Sequence, residues 1–229
     1  MVVWSPGMDG NPEFAEIAKT GANVVRIVWN NTGSAAQLDT AIANALAQQL
    51  IPLVENHDAT GDLTLLPSAV DYWVRPEIVA VLQKYEHSLL LNIANESGDN
   101  TVTAEAFTAA YQTAITRLRD TGLKLPLILD APQWGQNIDV LQATWSALTQ
   151  YDPEHNLLFS VHMWWSDPQG TRVTTELQQS YDAGMPLIVG EFAQHAVYQC
   201  DQAPFAYGVL LTEAQRLGIG WLAWSWGGV

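Results

Sequence analysis

The chain has 229 residues, 48% of them hydrophobic and 14% charged, which excludes a disordered chain and suits one domain with one large core. Its net charge of −15 excludes nucleic acid and anionic membranes as good partners, because an acidic surface repels phosphate. No apolar run reaches the roughly 18 residues of a membrane span, and no signal peptide is visible at the N-terminus.

The first half of the chain alternates predicted strands and helices. A short strand at residues 1–4 precedes a helix that begins at Pro12, after an Asn11 cap, and ends at Gly21. Apolar spacing predicts helices near residues 38–50 and 68–85, the second interrupted at Pro76. Aliphatic runs bounded by turn residues predict buried strands at 24–29, 51–56 and 89–96.

The second half continues the alternation, and βαβ units of about thirty residues are typical of a parallel sheet. We therefore predict an α/β fold, a (β/α)8 TIM barrel forming a single domain over residues 1–229. The chain stops three residues after the last predicted strand, so this barrel is expected to lack its C-terminal eighth helix. Its first strand, at residues 1–4, is expected to be shortened. Further strands are predicted at 125–130, 157–162, 186–192 and 219–226, and helices at 103–121, 138–148, 174–183 and 204–217.

Two of the predicted buried strands lead into a glutamate. Residues 89–96 end in Asn95 and Glu96, and residues 186–192 contain Glu191. A carboxylate at the end of an apolar strand costs free energy unless that end opens into a polar site. Active sites of (β/α)8 barrels lie at the C-terminal ends of the strands. The pattern predicts that Glu96 and Glu191 form a two-carboxylate active site.

Other polar and aromatic residues also follow the strands and are expected on the same face of the barrel. The chain has ten tryptophans, whose flat rings stack well on sugars. Two carboxyls beside such rings suit glycoside hydrolysis, in which one protonates the leaving oxygen and the other attacks the anomeric carbon or activates water. The candidates are Arg26, His57, Asn95 and His162 as supporting residues, and Trp29, Trp134, Trp164 and Trp224 as substrate-binding residues.

Structural roles stay open for several candidates. Either glutamate alone could be a helix cap or an ion-pair partner, and Arg26 could be only a counter-charge. His57 and His162, taken singly, are compatible with buried core histidines. A metal site would use these two histidines with Asp58 and Glu191, but the spacing matches no metal motif and a single cysteine excludes a Cys-rich zinc site. We expect neither a metal nor a cofactor.

Several blocks at the strand ends resemble glycoside hydrolase family 5, and within it the bacterial endo-β-1,4-mannanases. The similarity extends from about residue 11 to residue 227. Three features depart from the family's pattern. Ser97 stands where proline is usual, Trp164 stands where a tyrosine is usual, and the polar, histidine-bearing end of the first strand is missing from residues 1–4. The blocks are residues 92–96 (NIANE), 189–192 (VGEF), 57–61 (HDATG) and 220–226 (GWLAWSW), with 21–26, 71–73 and 134–136 fitting the same group.

The resemblance implies a retaining double displacement, with Glu96 as acid/base and Glu191 as nucleophile. Such a pair needs one carboxyl protonated and the other ionised, so their environments must differ. The remaining roles that the resemblance implies are Arg26 keeping the nucleophile ionised, Asn95 bonding the sugar 2-hydroxyl or the nucleophile region, His57 and His162 lining the cleavage subsite, and Trp224 stacking on the sugar.

The expected function is endo-acting cleavage of β-1,4-linked polysaccharide, with β-mannan as the favoured substrate. A β-1,4-endoglucanase and, in another class, a glycan-binding barrel with little turnover remain as alternatives. The resemblance places the protein outside the cell. The outward side of the last strand, at Trp221 and Ala223, is expected to be covered by a neighbouring chain or an irregular terminus. For His195, Tyr198 and Asp201, both a solvated loop and substrate contact stay open.

Overall fold

The computed structural model of the protein describes residues 2–4, 13–194 and 205–226. Asn11 and the loop candidates His195, Tyr198 and Asp201 lie outside the described residues. Within the described ranges, no helix is both long and apolar enough to cross a membrane.

Eight parallel strands form one sheet whose spatial order follows the chain order. In the described part of the chain, the first and last strands stand at the two ends of this order. The predicted (β/α)8 architecture is confirmed, as is the short first strand. The strands are β1 (Val2–Trp4), β2 (Val24–Trp29), β3 (Ile51–Asn56), β4 (Leu90–Asn92), β5 (Leu127–Asp130), β6 (Leu157–His162), β7 (Leu187–Glu191) and β8 (Gly220–Trp221).

Helices occupy each connection between successive strands, and the β3–β4 connection holds two. The predicted interruption at Pro76 is confirmed, because Arg75 is extended and Pro76 opens a new helix, where its missing N–H costs nothing. Within the described residues, no helix follows β8. The helices are α1 (Glu13–Ala18), α2 (Ala35–Ala47), α3 (Leu66–Trp73), α4 (Pro76–Lys84), α5 (Ala104–Arg119), α6 (Ile138–Tyr151), α7 (Thr171–Asp182) and α8 (Tyr207–Leu217).

Alternate residues of the strands enter two separate packing layers. Val25 and Ile27 of β2 join the large cluster between sheet and helices, where every member is buried. Val28 instead joins a small cluster inside the barrel that also contains Leu53 and Ile128. Removing these side chains from water stabilises the fold by about 25 cal/mol per Å² of apolar surface. The two layers hold the strands so that the polar residues near their C-terminal ends meet inside the barrel.

Two predicted strands are shorter than expected. β4 ends at Asn92, so Glu96 lies four residues beyond it rather than at its tip. The chain turns away because Asn95 N–H donates to the Asn56 carbonyl and Glu96 has a left-handed φ of 46°. β8 covers only Gly220–Trp221, so the predicted strand through residue 226 was too long.

Candidate active site

Glu191 is the last residue of β7, and its carboxylate accepts hydrogen bonds at both oxygens. Arg26 Nη1 donates to Oε1 over 2.6 Å, and Trp164 Nε1 donates to Oε2 over 3.2 Å. Arg26 is fully buried and lies inside β2, so its predicted place at the strand end was wrong. Because both oxygens face N–H donors, the hydrogen bonds favour the ionised form of Glu191.

Glu96 lies in a backbone conformation that few non-glycine residues adopt. With its left-handed φ of 46°, it needs contacts on both sides to stay there. Its N–H donates to Asp130 Oδ2 over 3.2 Å, and its carbonyl accepts from Gly61 N–H over 2.9 Å. The next residue, Ser97, is fully buried and pairs with Thr60 in an isolated antiparallel bridge. The loop is therefore anchored even though Ser97 replaces the usual proline.

His162, the last residue of β6, lies between the two glutamates. Its Nδ1 is 2.6 Å from Glu96 Oε1 and 3.5 Å from Glu191 Oε2, and the side chain is fully buried. Two glycines leave room for the ring. A Cβ on Gly190 would lie 2.8 Å from Nε2, and one on Gly135 would lie 2.6 Å from the His162 Cγ. The glycine before Glu191 is thus required by the close approach of both Ser160 and His162.

The charges of the site favour a protonated imidazole. Burial lowers the pKa of His162, but the charges of Glu191 and Asp130 outweigh it, and together with hydrogen bonds they bring this pKa to about 10. Burial raises the pKa of Asp130, yet His162 and Arg26 hold it at about 2. Burial also raises the pKa of Glu191, and the cations at His162 and Arg26 limit this rise. The hydrogen-bonded pair of His162 and Glu96 therefore holds a proton through the neutral range.

Asn95 and His57 complete the polar surface around the glutamates. Asn95 Oδ1 accepts from Arg26 Nη2 over 2.7 Å, and its Nδ2 donates to Thr60 Oγ1 over 2.9 Å. His57, directly after β3, has its Nδ1 2.8 Å from Glu55 Oε1. Burial lowers the pKa of His57, but the charge and hydrogen bond of Glu55 raise it overall.

Three of the four tryptophan candidates lie near the surface of the site or its loops. Trp224 stacks on His57 with the ring centroids 6.4 Å apart, and Trp164 meets Trp224 edge to face at 6.3 Å. Trp134, in the loop after β5, is 46% exposed. The rings of Trp224 and Trp164 thus form an aromatic wall beside Glu191.

Trp29 does not belong to this surface. Its side chain is fully buried, and its indole N–H donates to the Tyr72 hydroxyl over 2.7 Å. The substrate-binding prediction for Trp29 was wrong, because its position on β2 directs the ring into the layer between sheet and helices.

Two buried carboxylates at the site were missed from the sequence, Glu55, one residue before the end of β3, and Asp130, the last residue of β5. Both are fully buried, and they lie 3.6 Å and 3.4 Å from the Arg26 guanidinium. A signal was available. Each stands two residues after an apolar residue of the barrel interior, Leu53 or Ile128, so strand alternation places it inside the barrel.

A family model described as Cellulase (glycosyl hydrolase family 5) matches residues 2–228. A mannan endo-1,4-β-mannosidase from Cellvibrio japonicus is 35% identical over 98% of this chain and 53% of its own length. The solved catalytic domain of a mannanase from Streptomyces sp. SirexAA-E is 35% identical, with a TM-score of 0.88 over 98% of this chain and 72% of that one. A mannohexaose complex of Thermomonospora fusca β-mannanase is 34% identical, with a TM-score of 0.84 over 95% and 73%. The chain spans little more than half the length of the first curated relatives that it matches.

Proposed function

The chain belongs to glycosyl hydrolase family 5, and we propose that it is an endo-acting, retaining hydrolase of β-1,4-linked polysaccharide with β-mannan as its favoured substrate. Glu96 acts as the acid/base and Glu191 as the nucleophile. His162, Arg26 and Asn95 hold the two carboxyls in place.

The observation that carries the proposal is the spacing of the two glutamates. One carboxylate oxygen of Glu96 and one of Glu191 lie within 4.8 Å of each other, with His162 beside both. Retaining glycosidases have carboxyls about 5–5.5 Å apart, whereas inverting enzymes leave about 6.5–9.5 Å for a water molecule. The short separation supports direct attack by Glu191 rather than attack by water.

In the first step, a Glu191 oxygen forms a bond to the anomeric carbon while the glycosidic C–O bond breaks. The leaving oxygen takes the proton of Glu96, so the departing sugar leaves as a neutral alcohol. In the second step, water gives a proton back to Glu96, and the oxygen of this water replaces Glu191 at the anomeric carbon. Arg26 and Trp164, which donate to Glu191, stabilise its carboxylate when it leaves.

The preference for mannan comes from the relatives, which are named for mannan hydrolysis, one of them solved with mannohexaose. The family description is Cellulase, which favours β-1,4-glucan as the second candidate substrate. The aromatic wall of Trp224 and Trp164 suits either sugar, because stacking reads the flat face of the ring.

The decisive experiment measures reducing sugar released from mannan, carboxymethylcellulose and xylan in parallel. We expect release from mannan to be fastest and to fall by at least about 100-fold in both Glu96→Gln and Glu191→Gln. Glu176→Gln is the matched control, since Glu176 on α7 is partly buried and accepts a hydrogen bond from Gln142 on the neighbouring helix α6.

Each outcome has a definite meaning. Faster release from carboxymethylcellulose assigns the chain to the glucanases. A wild type no faster than its glutamate variants overturns the hydrolase proposal. If that wild type still binds mannan in affinity gels, the chain is a glycan-binding barrel. Retention is tested by NMR of the first product, which must keep the β configuration.

The proposal also covers where the protein acts and whether it associates with a second chain. Polymeric mannan is too large to enter a cell, so we place the protein outside it. Trp221 on β8 is 45% exposed beside a cavity of about 820 Å³ that is lined mainly by apolar residues of β8, α8 and the sheet. Contact of this exposed side of β8 with a second chain stays a prediction. A sedimentation velocity experiment that finds only monomer at all concentrations would contradict it.

A further inference from the structure

Asp130 is a buried carboxylate to which the proposed chemistry assigns no part. It ends β5, and its side chain has no exposed surface. Oδ1 accepts from Asn92 Nδ2 over 2.7 Å, and Oδ2 accepts from the Glu96 N–H over 3.2 Å. Burying a carboxylate fully costs free energy unless hydrogen bonds and nearby positive charges compensate for the lost water. The partners of Asp130 converge on the acid side of the active site.

The first link from Asp130 to the acid runs through the backbone. Glu96 has a left-handed φ, which is costly for a residue with a side chain and persists only where neighbours hold it. The contact to Asp130 holds the N–H side of this residue, and Gly61 holds the carbonyl side. Asp130 thereby fixes the direction in which the Glu96 side chain leaves the loop.

The second link runs through His162. Its Nε2 lies 3.4 Å from Asp130 Oδ2, while its Nδ1 lies 2.6 Å from Glu96 Oε1. A neutral imidazole has one donor and one acceptor nitrogen, and a carboxylate beside Nε2 favours the proton there. Nδ1 is then the acceptor for the carboxylic O–H of Glu96. When the proton instead lies on the ring, both nitrogens donate and the pair keeps the same hydrogen bond.

Charged and titratable groups approach Asp130 from several elements. Arg26 from β2 lies 3.4 Å away, and His162 from β6 lies at the same distance. The charge of Asp130 also acts on the buried Tyr111 of α5. Burial raises the pKa of this phenol, with the Asp130 charge adding to the rise, so Tyr111 stays neutral. Arg26 keeps its shorter contact of 2.6 Å with Glu191, so the nucleophile depends less on Asp130 than the acid does.

We propose that Asp130 is a positioning residue for the general acid, which holds the Glu96 backbone and orients His162 so that one proton is kept between His162 Nδ1 and Glu96 Oε1. The inference rests on the proposed function, because it presumes that Glu96 protonates the leaving oxygen. During cleavage the proton passes from this pair to the glycosidic oxygen as the C–O bond breaks. The pair regains a proton from the water that completes the reaction.

The test compares two substrates that differ in their need for an acid. Mannan oligosaccharides have a poor leaving group and need protonation, whereas a 2,4-dinitrophenyl β-mannotrioside has a leaving group that departs without it. For both, kcat/KM reports only the first step. In Asp130→Asn we expect kcat/KM to fall about 10- to 100-fold on the oligosaccharide and to stay within about threefold on the dinitrophenyl substrate.

The matched control is Asp152→Asn. Asp152 is equally buried and pairs with Arg119 over 2.8 Å, away from the glutamates. It reports what loss of a buried carboxylate does to the fold alone, so its two substrates should be affected equally. Should Asp130→Asn fail to fold, Asn92→Ala serves instead, since Asn92 holds Oδ1 of Asp130. Equal losses on both substrates in the Asp130 or Asn92 variant overturn the proposal.

A second measurement does not depend on activity. Nitrogen-15 NMR of labelled histidine follows the protonation of His162, and we expect Asp130→Asn to lower its titration midpoint by at least about one pH unit. An unchanged midpoint overturns the link between Asp130 and His162. A wild type that cleaves neither substrate refutes the proposed function instead, and the NMR result then still decides whether Asp130 controls His162.

Discussion

Replacement of Trp164 by phenylalanine tests whether a hydrogen bond to the proposed nucleophile, Glu191, sets the lower pH limit of activity. The indole N–H donates to Glu191 Oε2 over 3.2 Å, and phenylalanine keeps an aromatic ring while removing the donor. A hydrogen bond to an ionised group contributes about 1.5 to 3 kcal/mol, and the length of this one places it at the lower end. Since about 1.4 kcal/mol corresponds to one pH unit, the loss is worth about one unit.

The sign follows from the role of Glu191. As the proposed nucleophile, Glu191 attacks only when ionised, so kcat/KM falls as the pH drops through the pKa of this carboxyl. Losing a donor destabilises the ionised form and raises that pKa. The acid limb of the profile of kcat/KM against pH is therefore expected to move upward by about one pH unit in Trp164→Phe. Trp164→Tyr, which returns an O–H donor to this position, is expected to move it less.

The assay measures kcat/KM on mannan oligosaccharides across the acidic and neutral range. Trp165→Phe is the control, because it loses an indole hydrogen bond of similar length, 3.1 Å, to the carbonyl of Gln136 instead of to Glu191. The reasoning is refuted if the acid limb of Trp164→Phe coincides with that of the wild type. It is also refuted if Trp165→Phe moves the limb by the same amount.

Three further comparisons test other parts of the structure. Gly190→Ala brings a Cβ against the site and should cost about 1–3 kcal/mol in urea unfolding along with most activity, whereas Gly208→Ala, with nothing within 4 Å, should gain about 0.4–1 kcal/mol. The stability contributed by protonated His162 is complete below about pH 6.5 and is lost as the pH rises through about 10. The free energy of unfolding, measured at a series of pH values, should therefore decline across that window in the wild type and not in His162→Gln. Trp29→Ala should cost about 3–5 kcal/mol of unfolding free energy, while Trp134→Ala should change it by less than about 0.5 kcal/mol and raise KM for mannan oligosaccharides.

The strand order and the meeting of Glu96 with Glu191 could be predicted because both depend on local patterns. The buried strands consist mainly of aliphatic residues, and parallel strands bring their C-terminal ends to one edge. The end of β4 at Asn92 was harder to predict. Residues 93–95 are as apolar or as neutral as the strand itself, and only the left-handed φ of Glu96 and the bond from Asn95 to Asn56 show where the ladder stops.

Trp29 and Asp130 show what the sequence did not reveal about individual strand residues. Trp29 is the last residue of a strand and resembles a stacking platform in the sequence, but alternation along β2 turns it toward the helices, where its N–H donates to the Tyr72 hydroxyl. Asp130 looks like an ordinary strand-ending acid, but its partners come from other strands, with Arg26 separated from it by 104 residues. Alternation could have corrected the prediction for Trp29 and identified Asp130, since it decides which side of the sheet a residue faces. The pairing itself depends on the stagger of the strands, which no local pattern contains.

The shared use of Arg26 explains why the barrel interior can hold so many carboxylates. Three of them approach its guanidinium, Glu191 at 2.6 Å, Asp130 at 3.4 Å and Glu55 at 3.6 Å. One buried cation cannot neutralise three anions, so the two more distant carboxylates need a further donor each. Asp130 and Glu55 each have a histidine beside them, His162 and His57. Arg26 is thereby left to make its shortest contact with Glu191, and the two histidines become part of the charge balance around this proposed nucleophile.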